Sequence, residues 1–355
     1  MSHGSRRFSL GGVVVRRGET CDIRLKISET YVGSDVSIPI RVIRAKNPGP
    51  TVFVSAAIHG DEIIGTGIIH DLLARDELPL RSGTLILLPV VNVFGFENHD
   101  RYLPDRRDLN REFPGADSGS LTSRLANLIM REVVSQSNYG IDLHAASQSR
   151  TNFPNVRADL TLPEVCRIAS AFGCEMVVDG MGPVGSLRRE ACKAGCATII
   201  LEAGEPLKVE SAILEIGVRG VRNVLIELGM LPGERIHPPF QSLVQKTTWV
   251  RAEVGGLLRF HVKPGEVVRV GQAIASNFGV LGKHQNVLRS PVDGIILGMT
   301  TLPAVKPGEP VVHIAMPGNG IELVEKALDE LDPDHLHGRL RADMASDIST
   351  HEVQE

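Results

Sequence analysis

Two residues of complementary chemistry, His59 and Glu62, lie three positions apart where an apolar segment of strand type gives way to helical periodicity. At this spacing both side chains can reach one point in space. An imidazole nitrogen and a carboxylate oxygen are ligands that a catalytic zinc ion uses. The competing interpretation is structural, because Asp61 and Glu62 would also complement the positive N-terminal end of a helix.

Two further residues of the same chemistry, His144 and Glu202, each end a strand-like segment, at 140–144 and 197–202. Asp142 lies two residues before His144 and so on the same face of its strand, where a carboxylate can fix the tautomer of a ligating histidine. A single histidine or glutamate at a strand end is usually only solvated. Together with the first pair, these residues supply three ligands and a free carboxylate, which matches a zinc site with an open water position and a general base.

The segments that would position these residues alternate between strand-like and helix-like patterns. The strand-like runs are 51–57, 84–91, 140–144, 175–178 and 197–202, and the helix-like segments are 61–75, 120–136, 163–172, 187–194 and 207–229. This alternation predicts an α/β layer with a mixed, mostly parallel sheet flanked by helices. Functional residues of such a sheet gather at the C-terminal ends of its strands.

Two groups of arginines could bind anions. The segment 101–115 is a loop by its prolines and charges, and it is either a solvated, self-paired surface loop or an anion clamp. In the second interpretation, Asn110 and Arg111 hold a substrate carboxylate through charge-assisted hydrogen bonds. Arg188 and Arg189 either bind a second substrate anion or form a charged pair on a helix surface.

Four motifs in order resemble the succinylglutamate desuccinylase/aspartoacylase family, a branch of the zinc carboxypeptidase clan. They are HGDE at 59–62, DLNREFPG at 108–115, DLH at 142–144 and LEAGEP at 201–206. The resemblance covers roughly residues 36–318 and implies a zinc-carboxypeptidase-like fold. It also implies one Zn²⁺ per chain, held by His59, Glu62 and His144, and a catalytic glutamate at Glu202.

The same resemblance assigns the substrate-binding loop. The pair that binds the substrate carboxylate corresponds to Asn110 and Arg111. The arginine that polarises the scissile carbonyl corresponds to Arg101, with Arg106 as an alternative because the loop varies in length. The family usually has asparagine where this chain has Asp61, and aspartoacylases have another motif in place of AGEP. The resemblance therefore implies the metal site and the reaction rather than a particular acyl group.

The chain after the α/β pattern changes character. Residues 241–316 carry short runs separated by glycine and proline, which predict an all-β, barrel-sandwich-like domain of lipoyl or biotinyl type. Lys283 lies close to where such domains carry a modified lysine, but its neighbours do not match the attachment sequence, which favours an unmodified residue. We divide the chain into an N-terminal β extension, a zinc-dependent catalytic α/β domain, a β domain and an acidic tail, at 1–35, 36–235, 241–317 and 318–355.

Composition excludes several classes of function. The 355 residues are 42% hydrophobic, carry a net charge of −4 and contain no basic block, which argues against nucleic-acid binding. No apolar run is long enough to span a bilayer. The apolar stretch near the N-terminus is too short for an export signal, and five cysteines without framework spacing indicate a reducing compartment. We therefore expect a cytoplasmic protein. The sequence does not determine the oligomeric state, and a homo-oligomer is compatible with it.

These observations predict a zinc-dependent hydrolase that cleaves the amide bond of a small N-acylated amino acid or related amine. Metal-activated water would be the nucleophile and Glu202 the general base. The nearest alternative is a metallocarboxypeptidase that cuts peptides by the same chemistry, and a β domain over the cleft argues against it by restricting access. A third interpretation is a lipoyl-type carrier or binding module, modified at Lys283, whose α/β part is not catalytic.

Overall fold

The computed structural model describes residues 8–74, 78–318, 320–332 and 335–346. The first seven residues of the predicted N-terminal extension and the end of the predicted tail lie outside these ranges. The strands are β1 Ser9–Leu10, β2 Val13–Val14, β3 Thr20–Glu29, β4 Asp35–Arg44, β5 Asn47–Ala56, β6 Ser82–Leu88, β7 Tyr139–His144, β8 Arg150–Ala158, β9 Met176–Asp179, β10 Ala197–Gly204, β11 Ser242–Arg251, β12 Gly256–Phe260, β13 Val267–Val268, β14 Ala273–Phe278, β15 His284–Arg289, β16 Gly294–Thr300, β17 Ala304–Val305 and β18 Pro310–Pro317. The helices are α1 Ile64–Ala74, α2 Val93–Asn98, α3 Leu121–Glu132, α4 Pro163–Phe172, α5 Leu187–Lys193, α6 Ser211–Glu227, α7 Ile321–Asp329 and α8 Leu336–Ser346.

A 12-stranded sheet forms the centre of the molecule, in the order β13-β16-β18-β11-β9-β8-β10-β7-β5-β6-β4-β3. Helices cover both of its faces because its central strands are apolar on both sides. In β5, for example, Val52 and Val54 join a core with α1, α4 and α6, whereas Phe53 joins a core with α3 and α5. The mixed α/β fold with flanking helices is therefore confirmed.

The expectation of a mostly parallel sheet is wrong for the sheet as a whole. Parallel pairing joins β6, β5, β7 and β10 in the centre, and β8, β9 and β11 beyond them. The flanks pair antiparallel, and so does β8 with β10. Strands β3 and β4 follow one another directly and form an antiparallel hairpin. The pairs β4–β6, β8–β10 and β11–β18 join strands that other elements separate in the chain, so the local alternation of strand and helix patterns does not specify their direction.

The sequence predicts a barrel-sandwich-like domain for the C-terminal strands, but these strands do not form a separate barrel. Four of them, β11, β13, β16 and β18, extend the large sheet, and the others form a four-stranded sheet in the order β15-β14-β12-β17. An apolar core that includes Leu258, Ile274 and Ile314 contains residues from both sheets. Lys283 lies on the exposed turn between β14 and β15. The division of the chain into domains stays a prediction.

The end of the chain, predicted as an acidic tail at 318–355, includes the helices α7 and α8. In α8, Leu336 and Leu340 are buried in the core on the α6 face of the sheet. Glu175, almost fully buried before β9, accepts a hydrogen bond from Arg341 of α8 at 2.6 Å, and His337 Nδ1 lies 2.6 Å from its other oxygen. This ionic contact ties α8 to the body of the protein. Within the described ranges, no helix has both the length and the apolarity needed to cross a bilayer.

Candidate active site

Three adjacent parallel strands, β5, β7 and β10, end at the same edge of the sheet and place the predicted residues there. His144 is the last residue of β7 and is paired in register with Glu202 of β10. His59 and Glu62 follow β5, ahead of α1. The strand ends thus bring together side chains that lie far apart in the sequence.

The turn that holds His59 has room only for glycine at the next position. A Cβ on Gly60 would lie 1.9 Å from the carbonyl carbon of Gly95 in α2, far inside contact distance. Asn92 caps α2 by accepting a hydrogen bond from Gly95 N, and its own N–H donates to Ala57 O. The backbones of the two loops therefore lock together and fix the direction in which His59 points.

Glu62 is the centre of the cluster. Its Oε1 lies 2.6 Å from His59 Nδ1, and its Oε2 lies 2.8 Å from His144 Nδ1. All three residues are buried, and one ligand atom from each lies within 4.8 Å of the others. The set of two imidazoles and one carboxylate is the donor chemistry that zinc accepts.

Each histidine is held from behind by a carboxylate. Asp142 Oδ2 lies 2.7 Å from His144 Nε2, and Ser55 donates to its other oxygen. Asp108 Oδ1 lies 3.0 Å from His59 Nε2. Both Nε2 atoms are thus engaged, which turns both Nδ1 atoms toward one point, the arrangement by which carboxylates orient metal-binding histidines. The part of Asp142 was predicted, whereas Asp108 was not, since nothing in the loop sequence brings it to His59.

The charges of the cluster shift its pKa values in opposite directions. Burial alone would lower the pKa of His59, but Glu62 and Asp108 outweigh it and raise the pKa. Burial is likewise outweighed at His144, where Asp142 and Glu62 hold the pKa well above its usual value. For Glu62, burial would raise the pKa, yet the two histidines hold it below the ordinary range. The carboxylate therefore stays charged, and the metal-free histidines retain protons readily.

Glu202 lies apart from this cluster and faces the same cavity. Asn152 Nδ2 donates to its Oε2 at 3.0 Å, and Arg157 Nε lies 3.8 Å from its Oε1. Both partners belong to β8, which pairs with β10. The Glu202 carboxylate is thus oriented by neighbours in the sheet and is not part of the His-Glu-His group.

Arg101 reaches the cluster, whereas Arg106 does not line the cavity. The Arg101 guanidinium donates to Glu62 Oε1 at 3.0 Å and to Asp108 Oδ2 at 3.1 Å. Burial would lower its pKa, but these carboxylates raise it, so the residue keeps its charge beside the His-Glu-His group. Arg106 is exposed, which favours Arg101 over the alternative.

Asn110 and Arg111 line the same cavity. The amide oxygen of Asn110 accepts a hydrogen bond from Leu187 N, at the start of α5, which leaves its amide nitrogen as the group able to donate. The Arg111 backbone is covered by Gly185, where a Cβ would lie 2.2 Å from Arg111 O. Gly185 also has a φ of +78°, so glycine is favoured there on both counts.

The cavity has a volume of about 330 Å³, and several of its lining residues were not predicted. Arg150, Asn152 and Arg157 come from β8, and Trp249 and His313 come from β11 and β18. Their sequence signal is weak, since an isolated arginine or tryptophan in an irregular stretch has no motif. Of the arginine pair in α5, Arg188 lines the cavity, and Arg189, which does not, donates to Gly182 O.

Comparison with known proteins gives one consistent result. The model of the succinylglutamate desuccinylase/aspartoacylase catalytic domain matches residues 48–228. The chain is 26% identical to N-alpha-acetyl-L-2,4-diaminobutyric acid deacetylase of Halomonas elongata, over 79% of this chain and 86% of that protein.

Two solved structures share the fold. The succinylglutamate desuccinylase/aspartoacylase of Rhodobacter sphaeroides superimposes with a TM-score of 0.74 at 27% identity, covering 85% of this chain and 97% of its own. The product-bound ectoine utilization protein EutE (DoeB) of Ruegeria pomeroyi gives 0.77 at 24% identity, covering 88% and 100%. Since the family model spans half of the chain, the protein belongs to the succinylglutamate desuccinylase/aspartoacylase family, as its motifs predicted.

Proposed function

We propose that this protein is a zinc-dependent amidohydrolase that removes the acyl group from a small N-acylated amino acid or a related amine. The observation that carries the proposal is the convergence of His59, Glu62 and His144 in one cavity with the separate carboxylate of Glu202. The relative from Halomonas elongata, named as a deacetylase of an N-acetylated amino acid, supports the reaction class.

The three residues fit a zinc ion. Both Nδ1 atoms and the Glu62 carboxylate converge, and the outer nitrogens of the histidines are held by Asp142 and Asp108. A zinc ion bound there would supply Lewis acidity for the attacking water and the scissile carbonyl.

Glu202 is the general base and acid in this proposal. Its carboxylate takes a proton from the attacking water and later gives it to the nitrogen of the departing amine. Asn152 holds one carboxylate oxygen by a hydrogen bond, so the other is the oxygen that accepts the proton. A single side chain thus carries the proton from the attacking water to the departing amine.

The remaining residues bind and orient the substrate. Arg101 has two of its five N–H groups on Glu62 and Asp108, and the others can stabilise negative charge that develops on the carbonyl oxygen. Asn110 and Arg111 hold the α-carboxylate, which fixes the amide relative to Glu202.

The metallocarboxypeptidase alternative differs in substrate size rather than in chemistry. A cavity of about 330 Å³ suits one small molecule, and Trp249 and His313 form part of its wall. Hydrolysis of N-acetyl amino acids should therefore exceed that of dipeptides and longer peptides, and the reverse order would favour the peptidase.

The carrier interpretation requires a mass adduct on Lys283. Five unpaired cysteines suit a reducing compartment, so we place the protein in the cytoplasm.

The metal assignment is tested by His144→Ala. We expect the wild-type protein to bind one zinc ion per chain and the variant to lose both zinc and hydrolysis of N-acyl amino acids. Elemental analysis of the folded proteins gives the zinc content. Stoichiometric zinc in a folded His59→Ala/His144→Ala protein would place the metal elsewhere. His70→Ala, in α1 and away from the cavity, is the matched control and should retain zinc.

A further inference from the structure

A second cavity, here called the strand-start cavity, lies at the edge of the central sheet opposite the active site. It has a volume of about 390 Å³, and residues at the start of β5, β6 and β7 line it. Asn138, which precedes β7, is one of them, whereas His144 ends the same strand at the active site. At about 3.3 Å per residue these two positions are about 20 Å apart, so a small ion in the strand-start cavity could not contact the His-Glu-His group.

The floor of the strand-start cavity is an irregularity at the beginning of β5. Between two pairings that join β5 to β6, the β5 residues 48–50 face a single β6 residue, Gly83. Pro48 and Pro50 lack the N–H that regular pairing would use. A Cβ on Gly83 would lie 2.2 Å from Pro50 O, so only glycine permits this close approach. The strand therefore bulges where the cavity opens.

The charged residues that line the strand-start cavity are both positive. They are Arg17 and Arg44, and no aspartate or glutamate of the described chain belongs to the lining. Within the described ranges, neither guanidinium has an ion-pair partner. Burial and the neighbouring charge of Arg17 both lower the pKa of Arg44. Two like charges at one cavity repel each other, and an anion between them would offset this repulsion.

Arg44 is held in position by the protein itself. Its Nη1 donates to Val15 O at 2.6 Å, and its guanidinium carbon lies 5.5 Å from the centre of the Phe8 ring. The other N–H groups of the guanidinium remain able to donate. Because its rotamer is already restricted, binding an anion costs little additional side-chain entropy. The planar fork of donors suits the oxygens of a phosphate or a carboxylate.

Neutral donors complete the lining. The amide oxygen of Asn138 accepts a hydrogen bond from Thr51 N at 2.8 Å, which leaves the amide nitrogen as the group able to donate. Thr51 and Thr84 bring hydroxyl groups to the lining, and Phe8 and Pro48 bring apolar surface. Guanidinium, amide and hydroxyl donors without a competing carboxylate are the chemistry of an oxyanion site.

We propose that Arg17 and Arg44 bind a phosphate group in the strand-start cavity, as inorganic phosphate or as the phosphate of a small metabolite. A phosphate monoester carries a charge of about −1.5 to −2 at neutral pH, which offsets two guanidiniums better than one carboxylate does. The site is separate from the active site, and the proposal does not depend on the hydrolysis proposed above.

Hydrogen exchange followed by mass spectrometry tests the site in the full-length protein. Its peptides distinguish the strand-start cavity from the active site, whose arginines also attract anions. We expect inorganic phosphate to slow exchange in segments 44–51 and 134–138, and acetate at the same ionic strength to have little effect there. Slowing confined to the active-site segment 144–152, or equal slowing by acetate, would overturn the proposal.

Substitution of the two arginines tests their part. In Arg44→Gln, the phosphate concentration that gives half of the protection should rise by about 10- to 100-fold, the effect of losing a hydrogen bond to a charged group. Arg17 is exposed, so Arg17→Gln should give a smaller increase. It leaves the contacts of Arg44 with Val15 and Phe8 in place, and it alone decides if Arg44→Gln does not fold. Unchanged phosphate binding in Arg17→Gln would overturn the proposal.

Arg16→Gln is the matched control. Arg16 is the neighbour of Arg17 and equally exposed, but it does not line the strand-start cavity. It removes the same charge from the protein and should leave the phosphate effect unchanged, whereas a loss equal to that of Arg17→Gln would reduce the site to a general attraction and overturn it. Glycerol 3-phosphate then identifies the source of the ligand. Tighter binding than that of inorganic phosphate supports a phosphorylated metabolite, and equal binding supports the free ion.

Discussion

Glu202 is held on one side by Asn152 and Arg157 and is independent of the His-Glu-His group. Glu202→Gln keeps the size of the side chain and removes its ability to accept the proton. We expect zinc content to stay unchanged and kcat to fall by about 10²–10⁴-fold, the usual contribution of general acid–base catalysis. Elemental analysis and steady-state kinetics on one preparation measure both.

Glu205→Gln is the control for this change, because Glu205 lies three residues further on and does not line the active-site cavity. It should retain normal turnover. Loss of zinc from Glu202→Gln would make Glu202 a ligand, and near-normal turnover would remove it from the mechanism.

We expect the two histidines to make the proposed zinc binding dependent on pH. Their pKa values are raised in the metal-free protein, because the surrounding carboxylates outweigh burial. Protons must leave before the ring nitrogens can bind a metal, so zinc affinity should rise with pH through the raised pKa values and fall as the solution is acidified. Competition with a chelator at several pH values gives the affinity. Calorimetry in two buffers of different ionisation enthalpy should show that zinc binding releases protons. A zinc affinity that does not change with pH would contradict this prediction.

At the level of helices and strands, the predictable part of the site is the part with periodic or motif-bearing sequence. The ends of β5, β7 and β10 were predicted because apolar strands run directly into His59, His144 and Glu202. Strand β8 was missed, because its polar residues and Pro154 read as a loop. Proline lacks the N–H that a central strand needs. The register of β8 with β10 shifts where Asn152 and Asn155 flank this proline.

The consequence of missing β8 was chemical as well as topological. Arg150, Asn152 and Arg157 all lie on β8, so the sequence analysis did not predict this wall of the cavity. Trp249 and His313 were also out of reach, since strand pairing across the sheet, rather than local pattern, places them. Long-range pairing is the information that a single sequence does not display.

The junction between β5 and α1 depends on Gly60. In Gly60→Ala, the new Cβ would meet the backbone of Gly95 at 1.9 Å, and a backbone cannot move aside as a flexible side chain can. We expect at least about 1–3 kcal/mol lower free energy of unfolding, as for other overpacked sites, together with weaker zinc binding. Gly255→Ala is the control, because its Cβ would meet ordinary contacts from 3.4 Å. Equal denaturation midpoints for the two variants would contradict this prediction.

At the scale of the whole molecule, α8 is attached by a buried charge. Glu175→Gln would leave Arg341 and His337 beside a neutral side chain, and breaking a buried ion pair from one side typically costs about 3–5 kcal/mol. Glu215→Gln removes the partner of Arg339 between α6 and α8, where both side chains are about half exposed. That change should cost about 0–1 kcal/mol. Chemical denaturation of both variants measures the difference, and similar losses would mean that the buried contact does not anchor α8.

The shared sheet bears on how this chain could be shortened. Strand β9, with Met176 and Val177 fully buried, has β8 on one side and β11 on the other. Deleting residues 241–317 would remove β11 and leave β9 as an exposed edge strand of the sheet. Strand β8 would lose its pairing with β16 as well. Unpaired N–H and C=O groups on an apolar strand recruit other chains. A truncated α/β half should therefore precipitate or pair through this edge, and the active site would lose Trp249 and His313 in the same cut.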